Sequence, residues 1–163
     1  MVNQELALQH IWKTLEQVHD PEIPVLSVVD MRIVRNVEIG EGGVRVEITP
    51  TFSGCPAMEL IRQEIRDRLR EAGFDSVTVE KNVALPWSTD MLSEPVREKL
   101  RTFGIAPPPR VEVELKLSAA EIVQCPFCAS GDTKLESEFG ATLCKQLYYC
   151  LSCRQSFERF KSL

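Results

Sequence analysis

Apolar side chains recur along this chain with two different periods, and the points where the period changes mark its elements. Over residues 4–18, Leu8, Ile11, Leu15 and Val18 fall on one helical stripe. Pro21 and Pro24 stop that helix and make His19 to Pro24 a rigid turn. Ile33 to Ile39 and Val44 to Ile48 alternate with period two about Gly40-Glu41-Gly42-Gly43, which predicts a β-hairpin. Pro56 stands where the first residue of a second helix belongs, which makes Cys55 its N-cap. The stripe of that helix is Met58, Ile61, Ile65, Leu69 and Ala72, and Gly73 ends it. A short strand follows within Phe74 to Val83, with Val77 and Val79 facing one way. Glu94 to Phe103 predicts a third helix, closed by Gly104. Pro107-Pro108-Pro109 is a stiff spacer and a domain edge, and Val111 to Leu117 alternates once more.

The order helix, hairpin, helix, strand predicts an α+β fold, a small sheet with helices on one face. The expected domains are residues 1–109 and 110–163. The second is too short to bury much surface and needs a staple such as a metal. Cys125, Cys128, Cys150 and Cys153 supply one: two C-x-x-C pairs with 21 residues between them. Each pair puts two thiolates on one short turn, and two such turns brought together make a tetrahedral sulfur site that suits Zn2+ or an iron–sulfur cluster. Two disulfides or unpaired buried thiols are the alternatives, and the paired spacing favours metal. The tail therefore reads as a zinc-ribbon-like β domain. Phe139-Gly140-Ala141-Thr142 forms its tip, and Phe127, Tyr148, Tyr149, Phe157 and Phe160 cover the metal and supply the core. Cys144 is surplus to a tetrahedral ion and is expected in the core.

Charge narrows the partners. The chain carries a net −5 over 163 residues, while the tail from Glu121 onward is balanced. Nucleic-acid binding requires a basic face that neither part offers, so a protein partner is expected. No apolar run approaches the roughly 18 residues of a membrane span. Met1 to Glu5 does not open a secretory signal, which places the cysteines in a reducing cytoplasm. A homodimer is compatible with the sequence, which does not fix the oligomeric state.

Cys55 is the second candidate for chemistry. At a helix N-cap it would meet unpaired backbone N–H groups and the positive end of the dipole, both of which lower a thiol pKa. Thr49, Thr51 and Ser53 add hydroxyls; Cys55 as a small buried apolar residue is the equal alternative. The carboxylates of Asp20 and Glu22, aimed by the prolines, make a ligand set with Cys55 conceivable; Asp20 capping backbone amides in a solvated turn is the plainer reading. Asp30 is equally ambiguous. His10 and His19, on or beside the first helix, are expected at the surface.

His19-Asp20-Pro21-Glu22-Ile23-Pro24, Ser27, Asp30, Thr49-Pro50-Thr51 and Gly54-Cys55-Pro56-Ala57 resemble the SufT-type iron–sulfur assembly family. Pro86-Trp87-Ser88-Thr89-Asp90, Gly104-Ile105-Ala106-Pro107-Pro108 and the cysteine-rich tail extend the likeness. Over roughly residues 5–162 the chain resembles the PaaD family of phenylacetate degradation, with Met91 where that family's pattern has Trp. The resemblance implies a reactive cysteine at Cys55. It also implies a non-enzymatic accessory protein of the multicomponent 1,2-phenylacetyl-CoA epoxidase, assisting metal or iron–sulfur centre assembly in the oxygenase or reductase subunit. The implied partners are those subunits and the iron–sulfur assembly machinery. The alternative is a protein that carries a cluster on the tail cysteines for cluster or electron transfer. The chain has neither a Glu-x-x-His di-iron set nor a glycine-rich dinucleotide loop, so it is not expected to perform the epoxidation.

Overall fold

The fold comes from a computed structural model that describes residues 2–52, 54–109 and 122–162. It divides into two compact units, 1–87 and 88–163.

In the first unit α1 (Val2–Leu15) leads through a closed turn into the hairpin β1 (Val34–Gly40) and β2 (Gly43–Ile48). The strands pair antiparallel from Gly40↔Gly43 to Val34↔Ile48, with an irregularity between Val34 and Asn36. Helix α2 (Met58–Glu71) then carries the chain across, and β3 (Val77–Lys81) pairs in parallel with β2, giving the order β1-β2-β3. A parallel neighbour requires such a crossover, and α2 supplies it. The alternation is legible in burial. Val44, Val46 and Ile48 of β2 and Val77 and Val79 of β3 are buried, as are Ile11 and Leu15 of α1 and Ile61, Ile65 and Leu69 of α2. The opposite face carries Glu38, Arg45 and Glu80, linked by exposed ion pairs that contribute little to stability. Helix α2 ends as expected: Phe74 N–H donates to Leu69 O, Gly73 N–H to Arg70 O, and Gly73 takes φ +95°.

The second unit begins with a 3-10 turn (Thr89–Met91) and α3 (Glu94–Phe103), closed by Gly104 at φ +92°. A two-residue strand, β4 (Ile105–Ala106), and the ribbon strands β5 (Thr133–Ser137), β6 (Lys145–Cys150) and β7 (Ser156–Phe160) form a four-stranded sheet, order β4-β7-β6-β5. Its core gathers Ala106, Val123, Cys125, Tyr148, Cys150 and Phe157, with Tyr148 and Phe157 stacked at 5.8 Å. A largely buried Lys145–Glu158 pair (2.7 Å) anchors the β5–β6 loop, whose Ala141 N–H also donates to Glu158.

The two compact units part between residues 87 and 88, ahead of the triple proline. Ile105 and Ala106, just before it, pair in parallel with Glu158 and Arg159 of β7. The buried Arg97 of α3 donates to the carbonyls of Pro108, Thr89 (2.8 Å) and Leu92 (3.2 Å). These bonds gather residues 88–109 with the ribbon. One expectation is corrected here: Phe127 does not join the core, being 54% exposed with its ring resting against Gly104. The strand expected over Val111 to Leu117 lies outside the described residues.

Candidate functional site

Two constellations emerge, one in each unit. In the first, the segment after β2 leaves its carboxyl end with Thr49 fully buried. Thr49 N–H donates to Ile33 O, and its hydroxyl donates to Asn82 O (3.1 Å) at the exit of β3. Cys55 follows, half-buried. It is not the N-cap of α2: Ala57 holds that position, and a tight turn in which Met58 N–H donates to Cys55 O precedes the helix. The N–H groups of Ala57 and Met58 do reach the Cys55 thiol and favour its ionised form. Burial outweighs them, the charges of Glu22 and Asp20 oppose ionisation as well, and the pKa is raised rather than lowered. The surroundings of Cys55 therefore favour the protonated thiol.

That balance also shows that Asp20 and Glu22 lie within electrostatic reach of Cys55, over thirty positions away in sequence. Asp20 is buried and performs the plainer role as well: its Oδ1 accepts from the N–H groups of Glu22 (2.7 Å) and Ile23 (3.0 Å), closing the turn after α1. Ser27 and Asp30 cap each other reciprocally, Ser27 N–H to Asp30 Oδ2 and Asp30 N–H to Ser27 Oγ, and so brace the same turn. Thr51 is half-buried in the Cys55 loop, while Ser53 lies outside the described residues. His19 is exposed, and His10 packs edge-on against Phe74 at 5.9 Å.

In the second unit the four tail cysteines converge, all four Sγ atoms lying within 4.8 Å of one another. The two C-x-x-C turns repeat one backbone pattern. Ala129 N–H donates to Cys125 O and Arg154 N–H to Cys150 O, while Cys125 N–H donates to Ser130 O and Cys150 N–H to Gln155 O, each at 2.9 Å. Across the seam Cys125 Sγ lies 3.7 Å from Cys153 Sγ, Cys128 Sγ lies 3.6 Å from Cys150 Sγ, and the hydroxyls of Ser130 and Ser152 meet at 2.7 Å. The Cys153 N–H donates to Cys150 Sγ and draws that thiol down to about 7, whereas burial and the adjacent sulfurs push Cys153 up to about 12. A tetrahedral ion with sulfur bonds of about 2.3 Å sets its ligands roughly 3.8 Å apart, so the donor set and its spacing fit one metal ion. Cys144 is separate: it is buried, with Thr142 Oγ1 3.2 Å from its sulfur.

One feature of these turns carries no signal in the spacing of the cysteines. Ala129 and Arg154, each just after the second cysteine of its pair, hold φ +59° and +60°. Left-handed backbone costs a residue with a Cβ about 1–2 kcal/mol. Ala129→Gly and Arg154→Gly are each expected to raise ribbon stability by roughly 0.5–1 kcal/mol after the entropy glycine adds to the unfolded chain. Urea melts followed by the tyrosine signal measure this.

The fold and its two constellations define a class: an iron–sulfur-assembly-type α+β domain followed by a four-cysteine β ribbon. Residues 8–81 match the family described as iron-sulfur cluster assembly protein, and residues 109–161 match the PaaD zinc beta ribbon domain. The chain is 45% identical, over 96% of its length and 93% of the relative's, to an Escherichia coli K12 protein assigned as one of the subunits of 1,2-phenylacetyl-CoA epoxidase. It is 35% identical, over 53% of its length and 83% of the relative's, to an Fe-S protein maturation auxiliary factor of Porphyromonas gingivalis. The crystal structure of a domain of unknown function, DUF59, from Bacillus anthracis shares the fold of the first part. It has a TM-score of 0.52 at 24% identity and covers 56% of this chain and 89% of that one. The chain belongs to the PaaD family. Among the described residues no helix is long and apolar enough to cross a membrane.

Proposed function

We propose that this protein is a non-enzymatic maturation factor that assists assembly of a metal or iron–sulfur centre in the oxygenase or reductase subunit of 1,2-phenylacetyl-CoA epoxidase. The observation that carries the reading is the grouping of a half-buried Cys55 with two carboxylates, in a domain of the iron–sulfur assembly family. The likeness to the Escherichia coli protein over 96% of this chain supports the choice of client.

The chemistry suits a transient hold on cationic iron as cargo. Asp20 and Glu22 supply negative potential, and the thiol gives up its proton when the cation approaches. The N–H groups of Ala57 and Met58 then stabilise the thiolate. Because burial and the carboxylates favour the protonated thiol, the hold is weak enough to be yielded to a client with more ligands.

Cys125, Cys128, Cys150 and Cys153 hold a structural zinc ion that shapes the ribbon for docking to protein partners. Sulfur pairs 3.6 and 3.7 Å apart suit a single ion; a multi-iron cluster is larger and needs its thiols further apart. That geometry weighs against the tail as a carrier of clusters or electrons.

Cys55→Ser tests the role of the first site. The variant is expected to fold and to keep its zinc, while epoxidase produced beside it lacks iron or its cluster by elemental analysis. Fully metallated epoxidase from that strain removes Cys55 from the mechanism.

A further inference from the structure

The tail cysteines carry a second chemistry that their role as ligands does not require. Each close sulfur pair joins one turn to the other, Cys128 to Cys150 at 3.6 Å and Cys125 to Cys153 at 3.7 Å. Each also joins a more accessible thiol to a buried one: Cys128 is exposed and Cys153 half-buried, whereas Cys150 and Cys125 are buried. That is the arrangement of a thiol that is oxidised beside a thiol that resolves. The backbone bonds of the two turns and the Ser130–Ser152 contact hold the seam together.

We propose that the ribbon is a site of peroxide oxidation in which the ion is exchanged for two disulfides that cross between the turns, Cys128–Cys150 and Cys125–Cys153. The Cys128 thiolate attacks one oxygen of a peroxide first. The sulfur takes one oxygen to become a sulfenic acid, the O–O bond breaks, and the other oxygen leaves as water or an alcohol. Cys150 then attacks the sulfenic sulfur, the S–S bond forms and water departs. Cys153 and Cys125 repeat the sequence with a second peroxide. Each pair of thiols loses two electrons and each peroxide gains two. With its thiolates consumed, the site releases the metal.

The alternative connectivity, one disulfide inside each C-x-x-C, is the one an unfolded chain forms first, because its ring is the shortest to close. A bond between the turns instead closes the whole β5–β6 hairpin and keeps the ribbon's ends joined after the ion has gone. The connectivity therefore reports whether the folded ribbon or an unfolded tail was oxidised.

The sequence makes the test direct. Trypsin leaves Cys125 and Cys128 together between Lys116 and Lys134, Cys150 and Cys153 together between Lys145 and Arg154, and Cys144 on a third peptide. The full-length metal-loaded protein is treated with hydrogen peroxide in the presence of a chromogenic zinc chelator. Free thiols are blocked, and the protein is digested without reduction. Expected are metal release and a covalent pair of the two double-cysteine peptides, whose fragmentation gives 128–150 and 125–153, with the Cys144 peptide blocked and unlinked. The same digest after oxidation in urea gives two unlinked peptides, each two hydrogens lighter. Bonds within the turns in the native sample, 125–150 and 128–153 pairing, linkage through Cys144, or retention of the metal with all thiols free each overturns the proposal.

Discussion

Cys125→Ser is expected to cost the ribbon its metal and, with it, its fold, while the first unit keeps its own. Cys125 is 2% exposed and is both a candidate ligand and part of the ribbon's small core. Hydroxyl oxygen is a poor substitute for thiolate in a soft four-sulfur site, and three ligands hold a structural ion far less well than four. Structural zinc contributes about 10–16 kcal/mol in small metal-dependent domains, which matches or exceeds the roughly 5–15 kcal/mol by which whole domains are stable. The apolar cluster around Cys125, six residues among those described, is too small to absorb that loss. The aromatic residues report the two units separately: Tyr148 and Tyr149 are the chain's two tyrosines and lie in the ribbon, whereas Trp12 and Trp87 are its two tryptophans and lie in residues 1–87. The variant should show loss of bound metal by elemental analysis, collapse of near-ultraviolet tyrosine dichroism, and unchanged tryptophan emission. Cys144→Ser, at a buried thiol outside the four, should keep both metal and signal. A Cys125→Ser protein that lost the metal but kept the tyrosine signal would mean the apolar core holds the ribbon without the ion.

What could be read from the sequence follows the range of the forces concerned. Helix α3 falls where expected because a proline in its first turn and a glycine at its end are local signals. The hairpin and the stripe of α2 are equally legible, since period and turn chemistry lie within a few residues. The four tail cysteines announce their meeting through a repeated local spacing. The misreadings are matters of long-range packing. Pro56 suggests that α2 starts beside Cys55, but the chain first completes a turn from Cys55 to Met58. The expected drop in the Cys55 pKa considers the helix end alone. It cannot weigh burial, or carboxylates that the fold brings up from the turn after α1. The pairing of Ile105 and Ala106 with a strand fifty residues later is likewise invisible to a local reading.

Gly43→Ala is expected to be the most damaging single-methyl change to the first unit, and it separates folding from the chemistry of Cys55. Gly43 opens β2 at φ +106°, a conformation that strains any residue with a Cβ. The space is also taken: a Cβ there would stand 2.3 Å from Ser76 O, 2.6 Å from Ser76 Cβ and 2.8 Å from Ser76 Oγ. The backbone oxygen cannot swing aside, because Val44 N–H donates to it (2.8 Å) and Ser76 Oγ donates to Gly42 O (2.7 Å). These bonds fasten the hairpin to the start of β3. Relief requires β3 to draw back from β2, breaking them and opening the Val44–Val77 end of the parallel pair. Backbone strain of about 1–2 kcal/mol and overpacking with lost hydrogen bonds of roughly 2–3 kcal/mol together come to about 4 kcal/mol. With a urea slope near 1.5–2 kcal/mol/M, the tryptophan-detected midpoint should fall by about 2 M. Gly42→Ala, one residue earlier, meets nothing within 4 Å and should shift it little. A midpoint for Gly43→Ala within a few tenths molar of the parent would mean that the hairpin is not fastened to β3 through Ser76. The opposite pattern belongs to Cys55→Ser, where stability is kept and client metallation is lost. Only if the two variants fail in these different ways are the fold and the thiol independent contributions of the first unit.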